Sequence, residues 1–225
     1  MKQRKTSAII LRRTNFGEAD RILSLLTPEG KISAIARGVR KQKSKLAGGV
    51  EIFALNEVVL IEGKSDIQTI SSARMKTFFG NILKDLDRTE FTYFMLKDIS
   101  RKAENIGSGE FFDITSIALS SLNEESIFLQ IIESWYFIRV AEILGEGINL
   151  NYDQAGRKLS ADKTYNFDFY EKVFMEDENG EFNDKHIKYL RLLSSSTPKI
   201  ITKIVGVKDI NKQVSEIIRS VEVKI

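Results

Sequence analysis

Short apolar runs separated by turn residues open the chain, and a helical spacing takes over after Phe78. Thr6–Arg13 holds Ala8, Ile9, Ile10 and Leu11 and predicts a strand. Asn15–Asp20, with Gly17, predicts a turn, and Arg21–Thr27 a second strand with Ile22, Leu23, Leu25 and Leu26. Pro28-Glu29-Gly30 is a strong turn signal, because proline presets one backbone angle and glycine takes the one others avoid. Lys31–Arg37 alternates, with Ile32, Ala34 and Ala36 on one face, which completes a hairpin. Gly38–Gly49 has few apolar residues and predicts an exposed loop. Ile52–Ile61 and Ile67–Met75 are two further strands around a polar turn at Glu62–Asp66. Five short strands with two hairpin-like turns predict a small closed barrel, and an OB-fold or an SH3-like barrel fits the count.

The second half is helical. Ile82, Leu83 and Leu86 begin the spacing, which Phe91, Phe94, Met95 and Ile99 continue, as do Ile114, Ile117, Ala118 and Leu122. Ser126–Leu144 is apolar around most of its circumference, which predicts a central buried helix stopped by Gly145 and Gly147. Residues 148–183 are polar and aromatic without a clear period. Asp184–Ser195 and Asp209–Val221 predict two more helices, each opening on an aspartate able to cap it. The expected fold class is α+β: a β-barrel domain over 1–78 and an all-α helical domain over 79–225.

Composition narrows the chemistry. The 225 residues contain no cysteine, which excludes disulfides, thiolate metal sites and cysteine nucleophiles, and fits a reducing cytoplasm. One histidine, His186, leaves little room for histidine catalysis or a multi-histidine metal site; its place among Lys185 and Lys188 predicts a surface side chain. No apolar run has the length of a membrane span, and the basic start Met1–Lys5 lacks the apolar stretch of a signal peptide. The expectation is a cytoplasmic protein without cofactor, and no serine, lysine or carboxylate pair stands out as a catalytic group.

Charge changes the picture most. The net charge of +3 conceals a first fifty residues at +9, with twelve Lys/Arg against Glu18, Asp20 and Glu29, while the remaining 175 carry −6. Such asymmetry points to a polyanionic partner for the basic part. Its centre is Arg37-Gly38-Val39-Arg40-Lys41-Gln42-Lys43-Ser44-Lys45, where cations neutralise phosphates and glycines let the loop lie close to a backbone. Arg12, Arg13, Arg21 and Lys31 lie on the neighbouring predicted strands. The expected DNA-binding set is therefore Arg12, Arg13, Arg21, Lys31, Arg37, Arg40, Lys41, Lys43 and Lys45. Only Phe16 and Phe53 are aromatic within the first 55 residues, so the binding predicted is electrostatic, sequence-tolerant and salt-sensitive.

Other motifs have plainer explanations. Gly63-Lys64-Ser65 has Val58 where a phosphate loop needs glycine, so it predicts a hairpin turn. Asp177, Asn179 and Glu181 lack the remaining ligands of a calcium loop and predict an acidic turn. Trp135, Tyr136 and Phe137 predict core packing.

The run Ile9–Arg13, Phe16-Gly17-Glu18-Ala19-Asp20-Arg21-Ile22-Leu23, Leu26-Thr27-Pro28-Glu29-Gly30-Lys31-Ile32, Ala36–Arg40 and Ser44-Lys45-Leu46, followed by Phe53, resembles the opening of the bacterial RecO family. The resemblance implies an N-terminal OB-fold followed by a helical domain. It implies a recombination mediator, not an enzyme, that binds single- and double-stranded DNA and anneals complementary strands. It further implies work with RecR, docking of the acidic C-terminal tail of single-strand-binding protein on the helical domain, and indirect help to RecA. Many family members carry a four-cysteine zinc module after the central helix. Here residues 148–183 have none, and Tyr152-Asp153-Gln154-Ala155-Gly156 stands where a C-x-x-C-G start belongs. The expectation is a metal-free version of that module held by Tyr165, Phe167, Phe169, Tyr170 and Phe174. Two other readings of the chain stay open: an adaptor whose basic face docks acidic protein tails, and an RNA-binding barrel.

Overall fold

The computed structural model describes residues 2–63, 66–104 and 109–222. Five strands, β1 (Gln3–Phe16), β2 (Asp20–Thr27), β3 (Gly30–Ala36), β4 (Ala54–Ile61) and β5 (Ile67–Phe78), form a closed barrel in the order β1-β2-β3-β5-β4. β3 runs parallel to β5 and all other neighbours are antiparallel, which is an OB-fold. β1 is long enough to pair with β4 along its first half and with β2 along its second, and its register shifts between Ile10 and Arg12. Alternation sets the interior. On β4, Ala54, Asn56, Val58 and Leu60 point inward, and Ile10, Leu23, Leu25 and Ala34 meet them from the facing strands. The Gly63-Lys64-Ser65 turn includes Lys64 and Ser65, which lie outside the described residues.

The chain divides into two compact units, Met1–Glu124 and Glu125–Ile225, so the division lies well beyond the barrel's last strand. The reason is that α1 (Leu86–Lys102) and α2 (Glu110–Leu122) are tied to the barrel and to each other. The Lys31 ammonium on β3 donates to the Ser100 carbonyl (2.6 Å) and to Glu104 (2.7 Å) at the end of α1. The buried Arg88 guanidinium on α1 donates to Leu122 O (2.8 Å) and so caps the end of α2.

The second unit is built around α3 (Leu129–Ile143), whose Trp135 and Tyr136 are buried. α3 ends in a Schellman motif: Glu146 N donates to Ala141 O and Gly145 N to Glu142 O, with Gly145 in the left-handed region. Residues 148–183, which show no period in the sequence, contain a small antiparallel hairpin of β6 (Tyr165–Asp168) and β7 (Val173–Glu176), so this part is not all-helical. α4 (Asp184–Ser195) matches its expected span, but its cap is Asn183, with Asp184 in the first turn. α5 (Pro198–Ile201) follows. The single helix expected over 209–221 is two, α6 (Val207–Gln213) and α7 (Ser215–Ser220), and α6 starts after Gly206 with no aspartate cap.

His186 is a second correction. It is buried, not exposed: its Nδ1 accepts from Asn183 N (3.0 Å) in a capping box and its Nε2 lies 2.9 Å from Gln213 Oε1. The histidine substitutes for the usual acid of that box, and its role is structural. Among the described residues no group of three or more His, Asp or Glu could hold a metal ion, and no helix is long and apolar enough to cross a membrane.

Candidate nucleic-acid interface

The basic segment between β3 and β4 is anchored at both ends. Gly38 N donates to the Asp20 carboxylate (2.7 Å), Arg40 N to Ala19 O (2.9 Å) and the Arg40 guanidinium to Gly17 O (3.3 Å), which lashes the segment to the β1–β2 turn. Its other end lies against β5, with Gly49 on the backbone of Ala73 and Arg74. Between these points Val39 and Val50 drop into the barrel core, and Leu46 and Ile52 pack against it. The segment is therefore not a free loop: apolar plugs hold it down and turn its charged side chains outward.

Phe53, where the segment rejoins the barrel, takes a left-handed φ of 58°, a conformation that costs a non-glycine residue on the order of 1 kcal/mol. Its buried ring packs edge-on against Tyr93 of α1 at 4.9 Å, which holds the residue there. Phe53 is thus an anchor and offers no face to a ligand.

The nine expected cations separate into two groups. Arg37, Arg40, Lys41, Lys43 and Lys45 are exposed on the segment, and Arg12 is exposed on β1. None of these six makes an ion pair among the described residues. Of the other three, Arg13 and Lys31 are ion-paired, while Arg21 is half-buried and, like Arg40, meets only a neutral acceptor. Arg13, one residue on from Arg12, points the other way and pairs with Glu51 at 2.8 Å. Arg21 donates to Asn15 Oδ1 (3.3 Å). Lys31 is largely covered and committed to α1, where its ammonium holds the Glu104 carboxyl below its usual range, first by hydrogen bond and then by charge. Lys31 thus belongs to the attachment of the helices. Sequence reasoning overlooked Arg74, exposed on β5 beside the docked end of the segment. It lies outside the charged first fifty residues, and only the barrel's closure brings it near.

A second feature lies on the other unit. A cleft of about 650 Å³ opens between α3, α6 and α7. Its apolar lining includes the half-buried Phe128 and the buried Ile131 and Ile218, the exposed Lys208, Lys212 and Arg219 line it as well, and Glu133 is its acid. The Lys208 ammonium sits 3.6 Å from the centre of the Phe128 ring, a cation–π contact at the mouth.

Comparison with known proteins adds the family. The family profile "Recombination protein O N terminal" matches residues 1–79, the barrel. Over the barrel the chain carries the RecO N-terminal domain, and it is similar to RecO proteins beyond it. A DNA repair protein RecO from Dehalococcoides mccartyi strain 195 is 47% identical over 92 residues, 40% of this chain and 36% of that protein. The one from Alkaliphilus metalliredigens is 31% identical over 143 residues, 63% of this chain and 58% of the relative. The one from Clostridium kluyveri is 26% identical over 225 residues, 95% of this chain and 85% of the relative. The chain thus spans 36% and 58% of the length of the first two in these matches, less than two thirds of either.

The RecO zinc module does not fit this chain, because a thiolate site needs cysteines and there are none. An aromatic cluster stands in the hairpin region instead. Phe174 contacts Tyr165, Phe167 and Phe182 edge to face at 5.1–6.1 Å. Of the two other aromatics expected there, Phe169 joins the cluster at its edge, meeting Phe167 edge to face at 5.2 Å while half exposed, and Tyr170 is 90% exposed.

Proposed function

We propose that this chain is a non-catalytic DNA-binding mediator of recombinational repair. The barrel's basic segment holds DNA by its phosphates and brings complementary strands together for annealing. The observation that carries this reading is the set of six exposed cations, Arg12, Arg37, Arg40, Lys41, Lys43 and Lys45, that no carboxylate neutralises among the described residues. Cations that no carboxylate neutralises repel one another, and a polyanion relieves that repulsion while releasing its counterions. Six phosphate contacts correspond to a slope of log affinity on log salt of about −4 for single strands and about −5 for duplex.

In the same reading the cleft on the second unit takes the acidic tail of single-strand-binding protein: the exposed cations Lys208, Lys212 and Arg219 suit its acidic residues. RecR is the proposed co-mediator, and RecA the recombinase that gains access to the strand.

Strand annealing in the presence and absence of single-strand-binding protein tests the reading. Arg40→Glu with Lys41→Glu is expected to lower DNA affinity about tenfold or more at moderate salt, equally at all sequences, and to slow annealing in proportion. Unchanged affinity, or a salt slope shallower than about −2 for the parent chain, would overturn it.

A further inference from the structure

The β1–β2 turn, to which the basic segment is lashed, carries an exposed aromatic side chain. Phe16 closes β1 opposite Asp20 and is 52% exposed. Arg12, Thr14 and Phe16 alternate along the strand and so share its outer face, with Arg12 roughly 14 Å back along the strand from the ring. On the other side the adjacent Gly17 carbonyl accepts the Arg40 guanidinium, and Asp20 and Ala19 hold the backbone of the basic segment. The turn and the segment therefore form one hydrogen-bonded body, and Phe16 follows Arg12 on the outer face of β1 and directly precedes Gly17, the acceptor of Arg40. Glu18 is the sole carboxylate of the turn not used in holding the segment. A single exposed aromatic is ordinary on a protein surface. One that stands beside an exposed cation on its own strand and beside the acceptor of a second has a specific use.

We propose that Phe16 is a stacking platform for one unpaired base, with Arg12 and Arg40 on the flanking phosphates. The ligand class is single-stranded nucleic acid with an accessible base face. This rests on the reading of the basic segment as a phosphate-binding surface and adds what cations alone lack: a duplex offers the same phosphates but keeps its base faces stacked, so the ring separates unpaired strand from paired. During annealing the ring releases its base when the partner strand pairs with it, so the device favours reactant strands and leaves the product duplex to phosphate contacts only.

The test uses the full chain and three fluorescent oligonucleotides of equal length: a thymine strand, the same backbone with abasic sites, and a duplex, with affinity read by anisotropy. The parent chain is expected to prefer the thymine strand over the abasic one by about fivefold or more. Phe16→Ala should erase most of that preference while leaving abasic and duplex affinity and the salt slope unchanged, and Phe16→Trp should retain it. A preference that survives Phe16→Ala, or an equal loss on all three ligands, overturns the stacking role. Arg40→Glu with Lys41→Glu separates the two levels: loss on all three ligands in that variant, with Phe16→Ala silent, leaves the phosphate surface standing and sinks only the platform. Thermal unfolding of each variant confirms that the exposed turn tolerates the change.

Discussion

Asp153 shows what a single residue does in the turn at 152–158. Its carboxylate is buried and accepts from Arg157 N (2.7 Å) and Arg157 Nε (2.9 Å), and the Arg157 guanidinium reaches Glu176 on β7 at 3.0 Å. Lys163 joins Glu176 at 2.7 Å. These contacts staple the turn at 152–158 to the hairpin, at the place where the first pair of zinc-binding cysteines is expected. Burial pushes the Asp153 carboxyl up, but the hydrogen bonds from Arg157 and its charge outweigh this and hold it below its ordinary 3.8. A carboxyl lowered on folding contributes stability above its unfolded pKa and loses it as pH falls through the folded one. Asp153→Asn should therefore lower the unfolding midpoint at pH 7, and the gap from the parent chain should narrow below about pH 3.8. A gap that stays constant from pH 7 down to pH 3 would contradict the clasp.

At the scale of elements, the basic segment matters as a docked unit, and Gly49 is what lets it dock. A Cβ there would lie 2.2 Å from the Ala73 carbonyl carbon, in backbone that cannot yield. Gly49→Ala is expected to lift the end of the segment from β5, draw Val50 from the core, lower the unfolding midpoint and weaken DNA binding several-fold without altering any charge. Affinity measured in parallel with thermal unfolding checks this; a destabilised protein with parent-like affinity would mean the segment binds without being docked. The same segment marks the limit of what was legible in the sequence. The barrel strands were plain, because a strand buried on one face repeats every two residues, and five such runs leave few architectures. Val39 and Val50, lone apolar residues among polar ones, have no period, so the segment looked freely exposed. β6 and β7 are four residues each, too short for alternation to register. The break at Val214 between α6 and α7 carries neither glycine nor proline, so one helix was expected there. At the site, the nine cations were legible as charge, but which ones were already ion-paired depended on Glu51 and Glu104, partners that only the fold brings to them.

For the whole molecule, charge and shape separate two tasks. The first unit holds the unpaired cations on its barrel, whereas the second carries 16 acidic and 14 basic residues and no comparable excess. Its cations at Lys208, Lys212 and Arg219 gather at one cleft with an apolar lining. A phosphate backbone has no use for that lining, but a peptide with acidic residues and an apolar C-terminal side chain has a use for both parts. An acidic peptide could also be drawn to the basic segment by charge alone, and this is the adaptor reading of the chain. The two sites give opposite mutational patterns. With the second unit as the site, Lys208→Glu with Lys212→Glu, and separately Phe128→Ala, should each weaken an acidic-tail peptide of single-strand-binding protein about tenfold, read by fluorescence anisotropy, and leave DNA affinity as it was. Arg40→Glu with Lys41→Glu should do the reverse. Peptide binding that disappears with the barrel variant and survives both cleft variants would assign the acidic tail to the basic segment, where it would compete with DNA for the same cations.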